Sequence, residues 1–503
     1  MLISKINKIE IKISFLIIFS IGLGLRLFYF PYELPLIADG MDNFTYAAAI
    51  NFYGNLPNEW APANIGWPIF LSFWFSLVSL DNSLDYMQFQ RILSIILSSL
   101  TVIPIYYLCR KFFSSKISLV GVALFAFEPR IILNSTLGIT EPLFILLGIS
   151  SLVIFLKYSR KGIIIAFALA SFATIVRSEG VFLLVTISIL FFMKNKLSKE
   201  ILKSYLPALI IFLLILTPIS LYKTEVSGND AMFDRVVGGT NQIIEMSNNN
   251  NDNEILKGIE LFIKYLGWIM IPIFLLFLPF GIIQLFRKRT KKLNFIVIFL
   301  VSSSIPILYA YIVQAQDTRY FYFLYPIFCL ISLFAVETYI SKVTRKNILI
   351  LFLIIGILIA CISFYEYKKI DYEKEKELNA IAQIITDNVS GINFHPTETQ
   401  YVRATEIPLK WPFLFFEEDH KIKSVSTMKY NNLEKFILNS KDDLTHLIVD
   451  DNPNLPKFLH DVYNNEEKYE YLNKIFDSKD MRFNHHVKVF EIDFKKFNLN
   501  IKE

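Results

Sequence analysis

Histidine and cysteine are scarce, and their scarcity narrows the chemistry. The 503-residue chain has three cysteines, Cys109, Cys329 and Cys361, in or at the ends of apolar segments and without metal-type spacing, so they read as packing residues. Its six histidines all fall between His395 and His486, with no ligand spacing beyond the pair His485-His486, which argues against a structural zinc and for surface positions. Net charge is only +5, from 50 Lys+Arg against 45 Asp+Glu, which makes nucleic acid a poor partner. No small-residue cleavage site follows "MLISKINKIEIKISFLIIFSIGLGLRLFYF", so the amino terminus reads as a retained first span. Mid-span charges and related repeats, which a transporter or flippase of lipid-linked saccharides would call for, are not evident either. Finally, no basic residue lies between Arg26 and Arg91, yet that interval contains "LIADGMDNFTYAAAI", with Asp39 and Asp42 just after a hydrophobic segment.

Apolar residues are what the chain has in excess: it is 54% hydrophobic and 15% aromatic with a mean hydropathy of +0.45, the composition of an integral membrane protein. Apolar runs that cross or nearly cross a bilayer occupy 13–30, 92–108, 117–133, 141–156, 162–176, 180–193, 205–222, 264–286, 293–313, 320–338 and 347–364, about eleven spans. The short aromatic piece "GWPIFLSFWFSLVSL" at 66–80 decides the sidedness of everything after it. If it does not cross, "CRKFFSSK", "KYSRK", "KNKLSKEILK", "RKRTKK" and "SKVTRK" all share a side with Lys5, Lys8 and Lys12, which marks that side as cytoplasmic. Residues 66–80 are therefore expected to be interfacial or re-entrant. The extracytoplasmic face then holds 31–91, 128–141, 177–179, 223–262 and 314–319, with nearly every acidic residue at a helix mouth. Within 223–262, "SNNNNDNE" is a polar low-complexity stretch, suited to a mobile segment or lid and not to catalysis. The sequons at 43–45, 134–136 and 388–390 fall on the same face and are only permissive.

After residue 365 the apolar runs stop, and "YEYKKIDYEKEKELNAIAQII" reads as a helix leaving the membrane. Strand-like "HLIVDD" (446–451) and "VKVFEIDF" (487–494) alternate with helix-like "NLEKFILN" and "KYEYLNKIF". The expected domains are a multi-span membrane domain at 1–365 and a soluble α/β domain at 366–503, outside the cell. The expected fold is an α-helical polytopic membrane protein of about 11–13 transmembrane helices with a carboxy-terminal extracytoplasmic α/β domain, placed in the cell membrane.

Charged groups at a membrane mouth cost free energy unless solvated or used, so Asp39 and Asp42 are site candidates. The bland alternative is that they solvate a loop, with Asp42 capping the helix "NFTYAAAINFYG". Arg130, Arg177 and Arg319 stand at expected outer helix mouths, where each could meet a phosphate or instead pair with a neighbouring acid: Glu128, Glu179 or Asp317. Arg26 and Arg91 read as structural.

The order of these features carries a resemblance. A first span with an internal Arg26 is followed by Asp42, then Tyr46 four residues later, an Ala-rich helix, "GNLPNEW" and "GWPIF". Next come "QRILSIILSSLTVIPIYYLCRKFFSSK" and "LVGVALFAFEPRIILNSTLGITEPLFILL", with a weaker echo at "DTRYFYFLYPIF". Over residues 10 to 200 this resembles the GT-C superfamily of polyprenyl-phosphate-sugar-dependent glycosyltransferases, in its protein O-mannosyltransferase and aminoarabinose-transferase-like branch. The resemblance implies an inverting transfer of a sugar, with mannose in view, from a polyprenyl-phosphate donor to a protein, lipid or glycan acceptor outside the cytoplasm. It puts Asp42 in the place of the general base. Where the family often has Asp-Glu this chain has Asp42-Asn43, so Asp39 could stand in for the missing carboxylate and a metal role of that pair is in doubt. A divalent metal, Mg or Mn, stays an open cofactor. Glu141 matches the second-loop acidic residue, and Arg319-Tyr320 the Arg-Tyr near a late helix mouth. A flippase, or a polymerase or ligase using a diphosphate-linked donor, is the alternative.

Overall fold

The computed structural model describes residues 2–58, 61–80, 83–195, 198–228, 252–287, 291–313, 315–368, 372–390, 401–403, 430–441, 444–450 and 456–500. Most of the Asn-rich stretch at 223–262, and His395 and His420, lie outside these residues. Two compact units emerge, one formed by Met1–Phe30, Ala38–Ser79 and Tyr86–Lys369, the other by Pro31–Ile37, Leu80–Asp85 and Ile370–Glu503.

In chain order the first unit has helices α1 (Leu2–Phe28), α2 (Ala38–Tyr53), α3 (Gly66–Phe75), α4 (Ser83–Leu100), α5 (Val102–Arg110), α6 (Ser115–Ala126), α7 (Pro129–Ser135) and α8 (Glu141–Tyr158). It continues with α9 (Ile163–Val176), α10 (Val181–Lys194), α11 (Lys199–Ser227), α12 (Asp252–Met270), α13 (Phe274–Arg287), α14 (Lys291–Ile312), α15 (Tyr325–Ser341) and α16 (Lys346–Lys368). Among the described residues seven helical stretches are long and apolar enough to cross a membrane, or nine if the bent pairs α6–α7 and α12–α13 each count once. The other two runs of the eleven are α9 and α10, 14 residues each. At 1.5 Å per residue they reach about 21 Å, short of a hydrocarbon layer about 30 Å thick. Helix α3 has ten residues and cannot cross. Asn43 and Asn134, the acceptors of two sequons, are buried in α2 and α7.

The helix breaks have local causes. Pro129 at the first position of α7 and Glu128 as its cap, accepting from the Arg130 amide at 3.5 Å, end α6 and turn the chain by 55°. Between α12 and α13, where Pro272 stands, the bend is 110°. Carbonyls exposed by such breaks must find donors at membrane depth. Arg130 Nη1 donates to the Ile271 carbonyl, Tyr325 donates to Ile269 at 3.2 Å, and Tyr365 to Pro129 at 3.1 Å. Arg26, buried in α1, donates to the Ala126 carbonyl at 3.0 Å and to Ser98 at 3.1 Å.

The second unit is an α/β layer structure around a four-stranded sheet of order β1 (Tyr401–Arg403), β2 (His446–Asp450), β4 (Val487–Ile492), β3 (Leu472–Asp477). Strand β1 runs parallel to β2, and the remaining pairs are antiparallel. One face packs Leu447, Val449 and Phe490 on Phe436 and Leu459 of helices α18 (Leu433–Ser440) and α19 (Lys457–Asn464). The other packs Ile448, Val487 and Val489 on Ile381 and Ile385 of α17 (Glu373–Ser390). "KYEYLNKIF", read above as helix-like, is instead largely strand β3. Its Tyr, Ile and Phe favour a sheet edge, and pairing with β4 through an irregularity between Lys474 and Phe476 settles the matter.

Two stability predictions follow from these contacts. Arg130→Met leaves the fully buried Glu128 carboxylate without its cation, 3.6 Å away, and should cost about 3–5 kcal/mol. Adding Glu128→Gln should restore at least half of that loss, read as thermal denaturation in detergent. In the sheet, burial lowers the His446 pKa from 6.5 to about 4, so its neutral form is the folded one. The unfolded chain then takes up the proton first, and stability present above pH 6.5 is lost as pH falls toward 4, by up to about 3 kcal/mol. Hydrogen exchange of the β2 amides across that window should show the loss, and His446→Asn should flatten it.

Candidate functional site

Four short corners of the membrane unit bring the site together. Asp39 lies in the first turn of α2, which begins at Ala38 with a φ of 45°, a left-handed conformation uncommon for alanine. Glu141 opens α8, where the helix dipole favours a carboxylate. Arg177 leaves α9 extended and is followed at once by a 3₁₀ turn, Ser178–Gly180. That corner requires glycine twice: a Cβ on Gly66 would sit 2.6 Å from the Val176 nitrogen, and one on Gly180 2.5 Å from that of Thr174. Asp317 caps the 3₁₀ segment Thr318–Leu324 by accepting from the Arg319 amide at 2.8 Å.

These corners surround a cavity of about 290 Å³ lined by Asp39, Asp42, Asn43, Pro62, Ala63, Asn64, Thr140, Glu141, Arg177, Glu179, Asp317, Arg319 and Tyr320. Arg177 donates from Nη1 to Glu141 at 2.6 Å and from Nη2 to Glu179 at 2.8 Å, with Thr140 Oγ1 at 3.3 Å from Nη1. Arg319 donates from Nε to Asp317 at 2.5 Å and from Nη1 to Asp39 at 2.8 Å. Each arginine thus pairs with the nearby acid that the sequence offered and with a second, distant one. Five carboxylates face two guanidiniums, a formal charge of −3 for the lining. A guanidinium has five N–H donors, so Arg177 Nε and Arg319 Nη2 carry no hydrogen bond among the described residues.

A second, more apolar pocket of about 30 Å³ adjoins this cavity. It is lined by Phe144, Ile145, Phe182, Leu183, Pro306, Ile307 and Phe323 and shares Glu141, Arg177, Glu179, Arg319 and Tyr320 with the polar side. The Arg177 guanidinium stands 6.0 Å from the centroid of Phe144, which packs on Phe323 at 4.7 Å. The two arginines therefore sit on the seam between a polar hollow and an apolar one.

Of the residues singled out in the sequence, Asp39, Asp42, Glu141, Arg177, Arg319 and Tyr320 meet at this cavity. Arg130 is not among its lining residues; it pins the helix breaks instead, with Phe364 5.0 Å below its guanidinium. Sequence reasoning missed the residues that hold the corners. Buried Gln90 donates to the carbonyls of Gly40, at 3.0 Å, and Gly138, at 2.6 Å, one beside each acidic corner. Trp67 also donates to Gly138, at 2.9 Å, while Arg91, read from the sequence as structural, donates to Thr136 at 3.0 Å. Tyr222 and the buried Lys223, at the end of α11, donate to the carbonyls of Pro57 and Ala63 and so fix the loop that forms the far wall. The one sequence signal for Gln90 is a polar side chain entering an apolar run.

Among the described residues no group of three or more His, Cys, Asp or Glu is placed to hold a metal ion. Glu141 and Glu179 turn to Arg177, and Asp39 and Asp317 to Arg319. The positive charge on the cavity wall belongs to the guanidiniums, which engage four of its five carboxylates.

Residues 70–222 match the family model described as dolichyl-phosphate-mannose-protein mannosyltransferase. No curated protein matches the chain by sequence. Among solved structures, ArnT from Cupriavidus metallidurans bound to undecaprenyl phosphate is similar with a TM-score of 0.58 and 9% identity, over 94% of this chain and 97% of that one. The Archaeoglobus fulgidus oligosaccharyltransferase in complex with Zn and sulfate has a TM-score of 0.57 at 12% identity, over 87% and 68%. The oligosaccharyltransferase AglB of that organism, in complex with an inhibitory peptide and a dolichol-phosphate, has a TM-score of 0.54 at 12% identity, over 87% and 69%. The chain thus shares its helical fold with these membrane transferases, and the mannosyltransferase family match lies inside that fold.

Proposed function

We propose that the chain transfers a sugar from a polyprenyl-phosphate carrier to a hydroxyl or amide of a protein, lipid or glycan, on the extracytoplasmic face. The observation that carries this reading is the seam: a polar cavity and a more apolar pocket share Arg177 and Arg319. A lipid-linked sugar phosphate has the same three parts in the same order. The tail lies along Phe144, Phe182 and Phe323, the phosphate meets the spare N–H groups of the arginines, and the sugar projects into the cavity. The match to a dolichyl-phosphate-mannose family supports mannose, and the undecaprenyl phosphate and dolichol-phosphate named for ArnT and AglB support the carrier.

In the reaction the acceptor oxygen or nitrogen attacks the anomeric carbon opposite the phosphate, and the bond from that carbon to the phosphate oxygen breaks with inversion. Asp42 is assigned the acceptor proton. It lines the cavity one turn beyond Asp39 on α2. The electron pair leaves with the polyprenyl phosphate, whose charge the two guanidiniums stabilise. Basic loops at the opposite helix ends support an outer cavity, and the same topology puts residues 366–503 outside.

The test is transfer from labelled polyprenyl-phosphate mannose by purified protein. Asp42→Asn should lose about 10²- to 10⁴-fold in kcat, as for a general base. Arg319→Met should lose about 10²- to 10³-fold, as for a charge facing a developing anion. Asp39→Asn should fall between Arg319→Met and wild type. Wild-type turnover in Asp42→Asn sinks the assignment of the base, and wild-type donor binding and turnover in Arg319→Met sink the phosphate site. Gln90→Leu tests positioning: it removes the side chain that joins the Gly40 and Gly138 carbonyls, leaving Gly138 to Trp67 alone, and about 1–3 kcal/mol of order is lost between the two acidic corners. It should lower kcat at least about tenfold while donor KM changes little, because the arginines are not touched.

A further inference from the structure

A different pocket lies at the other end of α8. The cavity above is built at Glu141, the first residue of that helix, whereas Lys157 stands in its last turn, about 24 Å along the axis. There Lys157 meets the end of α5, and Tyr107, Arg110, Lys111, Leu156 and Lys157 line a pocket of about 160 Å³. The lining holds three cations and no acid. The segments that build it are as one-sided: no Asp or Glu occurs between Asp85 and Glu128 or between Glu141 and Glu179.

Among the described residues these cations have no carboxylate partner. Arg110 donates to the Phe113 carbonyl at 2.8 Å, and the Lys157 ammonium lies over the rings of Tyr107 and Tyr158 at 5.8 and 4.8 Å. Four other arginines pair with acids: Arg130 with Glu128 at 3.6 Å, Arg160, near the same helix end, with Glu200 at 3.8 Å, and Arg177 and Arg319 with two acids each. Three cations converging on one hollow attract an anion. The approach to the hollow says what kind of molecule carries it. Ile92, Ile96, Ile103 and Tyr107 are exposed on one face of the continuous span Leu84–Arg110, forming an apolar stripe about 22 Å long that ends at the pocket. A soluble anion has no use for such a stripe, and a phospholipid does.

We propose that this pocket binds the headgroup of an anionic glycerophospholipid, its phosphate among Arg110, Lys111 and Lys157 and its acyl chains along the Ile92–Tyr107 stripe. The site is separate from sugar transfer and stands whether or not that reading holds.

The test is lipid retention by the full-length protein in detergent, measured by native mass spectrometry during titration with phosphatidylglycerol, phosphatidylcholine or inorganic phosphate. Wild type should hold phosphatidylglycerol at least about tenfold more tightly than phosphatidylcholine. With roughly fivefold per cation, the triple variant Arg110→Gln/Lys111→Gln/Lys157→Gln should lose affinity on the order of 100-fold. Lys157→Gln alone should lose roughly fivefold, which keeps the test valid should the triple variant fail to fold. Arg160→Gln/Lys161→Gln, basic and nearby but outside the lining, should stay within about twofold of wild type. Unchanged retention in Lys157→Gln and the triple variant, or an equal fall in the control pair, overturns the site. Displacement of phosphatidylglycerol by an equal concentration of inorganic phosphate overturns the lipid as its occupant.

Discussion

Five carboxylates crowded round one cavity repel one another, and two guanidiniums hold four of them. The pairs are not local decoration. Arg319 ties the late 3₁₀ segment to the first loop through Asp39, and Arg177 ties the corner after α9 to the start of α8 through Glu141. Arg177 is 13% exposed and its partner Glu141 5%, so that pair acts where water screens little, whereas Asp39, 59% exposed, leaves its pair with Arg319 open to water. The lining still carries a formal −3, which would not gather a free phosphate from solution. Under the proposed function that excess has a use. A donor tethered to the bilayer needs no electrostatic capture, because its tail confines it to the membrane. Lipid and protein interiors are about equally apolar, so the apolar pocket contributes alignment more than hydrophobic free energy.

The same economy of partners governs the helix breaks. A bent span exposes carbonyls that hydrocarbon cannot satisfy, and each break here is met by a side chain from a distant helix. Arg130 and Tyr325 serve the turn near Ile271, while Tyr365 and Arg26 serve the one near Pro129. The breaks in turn free α7 and the loop after it to carry Thr136 and Gly138, whose carbonyls Arg91, Gln90 and Trp67 hold beside Glu141.

Much of this was legible in the sequence because membrane burial writes long signals. The apolar runs match the helices in place and order, and only the 14-residue α9 and α10 fall short of spanning length. In the soluble unit, "KYEYLNKIF" was misread because nine residues of mixed pattern suit either period, and the neighbour that decides, β4, lies further along the chain. At the site the acids and arginines stood out as charges at helix mouths. Their partners did not: Asp39 and Arg319 are 280 residues apart, and no local spacing announces the pair. Arg130 drew attention for the same reason as Arg177, but three-dimensional packing gives them different work. Gln90 was invisible because its targets are backbone carbonyls, which every residue has.

Helix α8 joins these themes. Glu141 sits at its amino end and Lys157 at its carboxyl end, each where the helix dipole favours its sign. The segment between Glu141 and Glu179 contains no acid, so every cation around the far end of α8 adds to one basic face. Positive charge of that kind keeps a loop on the cytoplasmic side during insertion. In the proposed topology the end that remains outside is the one with Glu141, and with it the acidic mouth. One asymmetry of charge along α8 thus separates a basic end from the end that carries the acidic cavity.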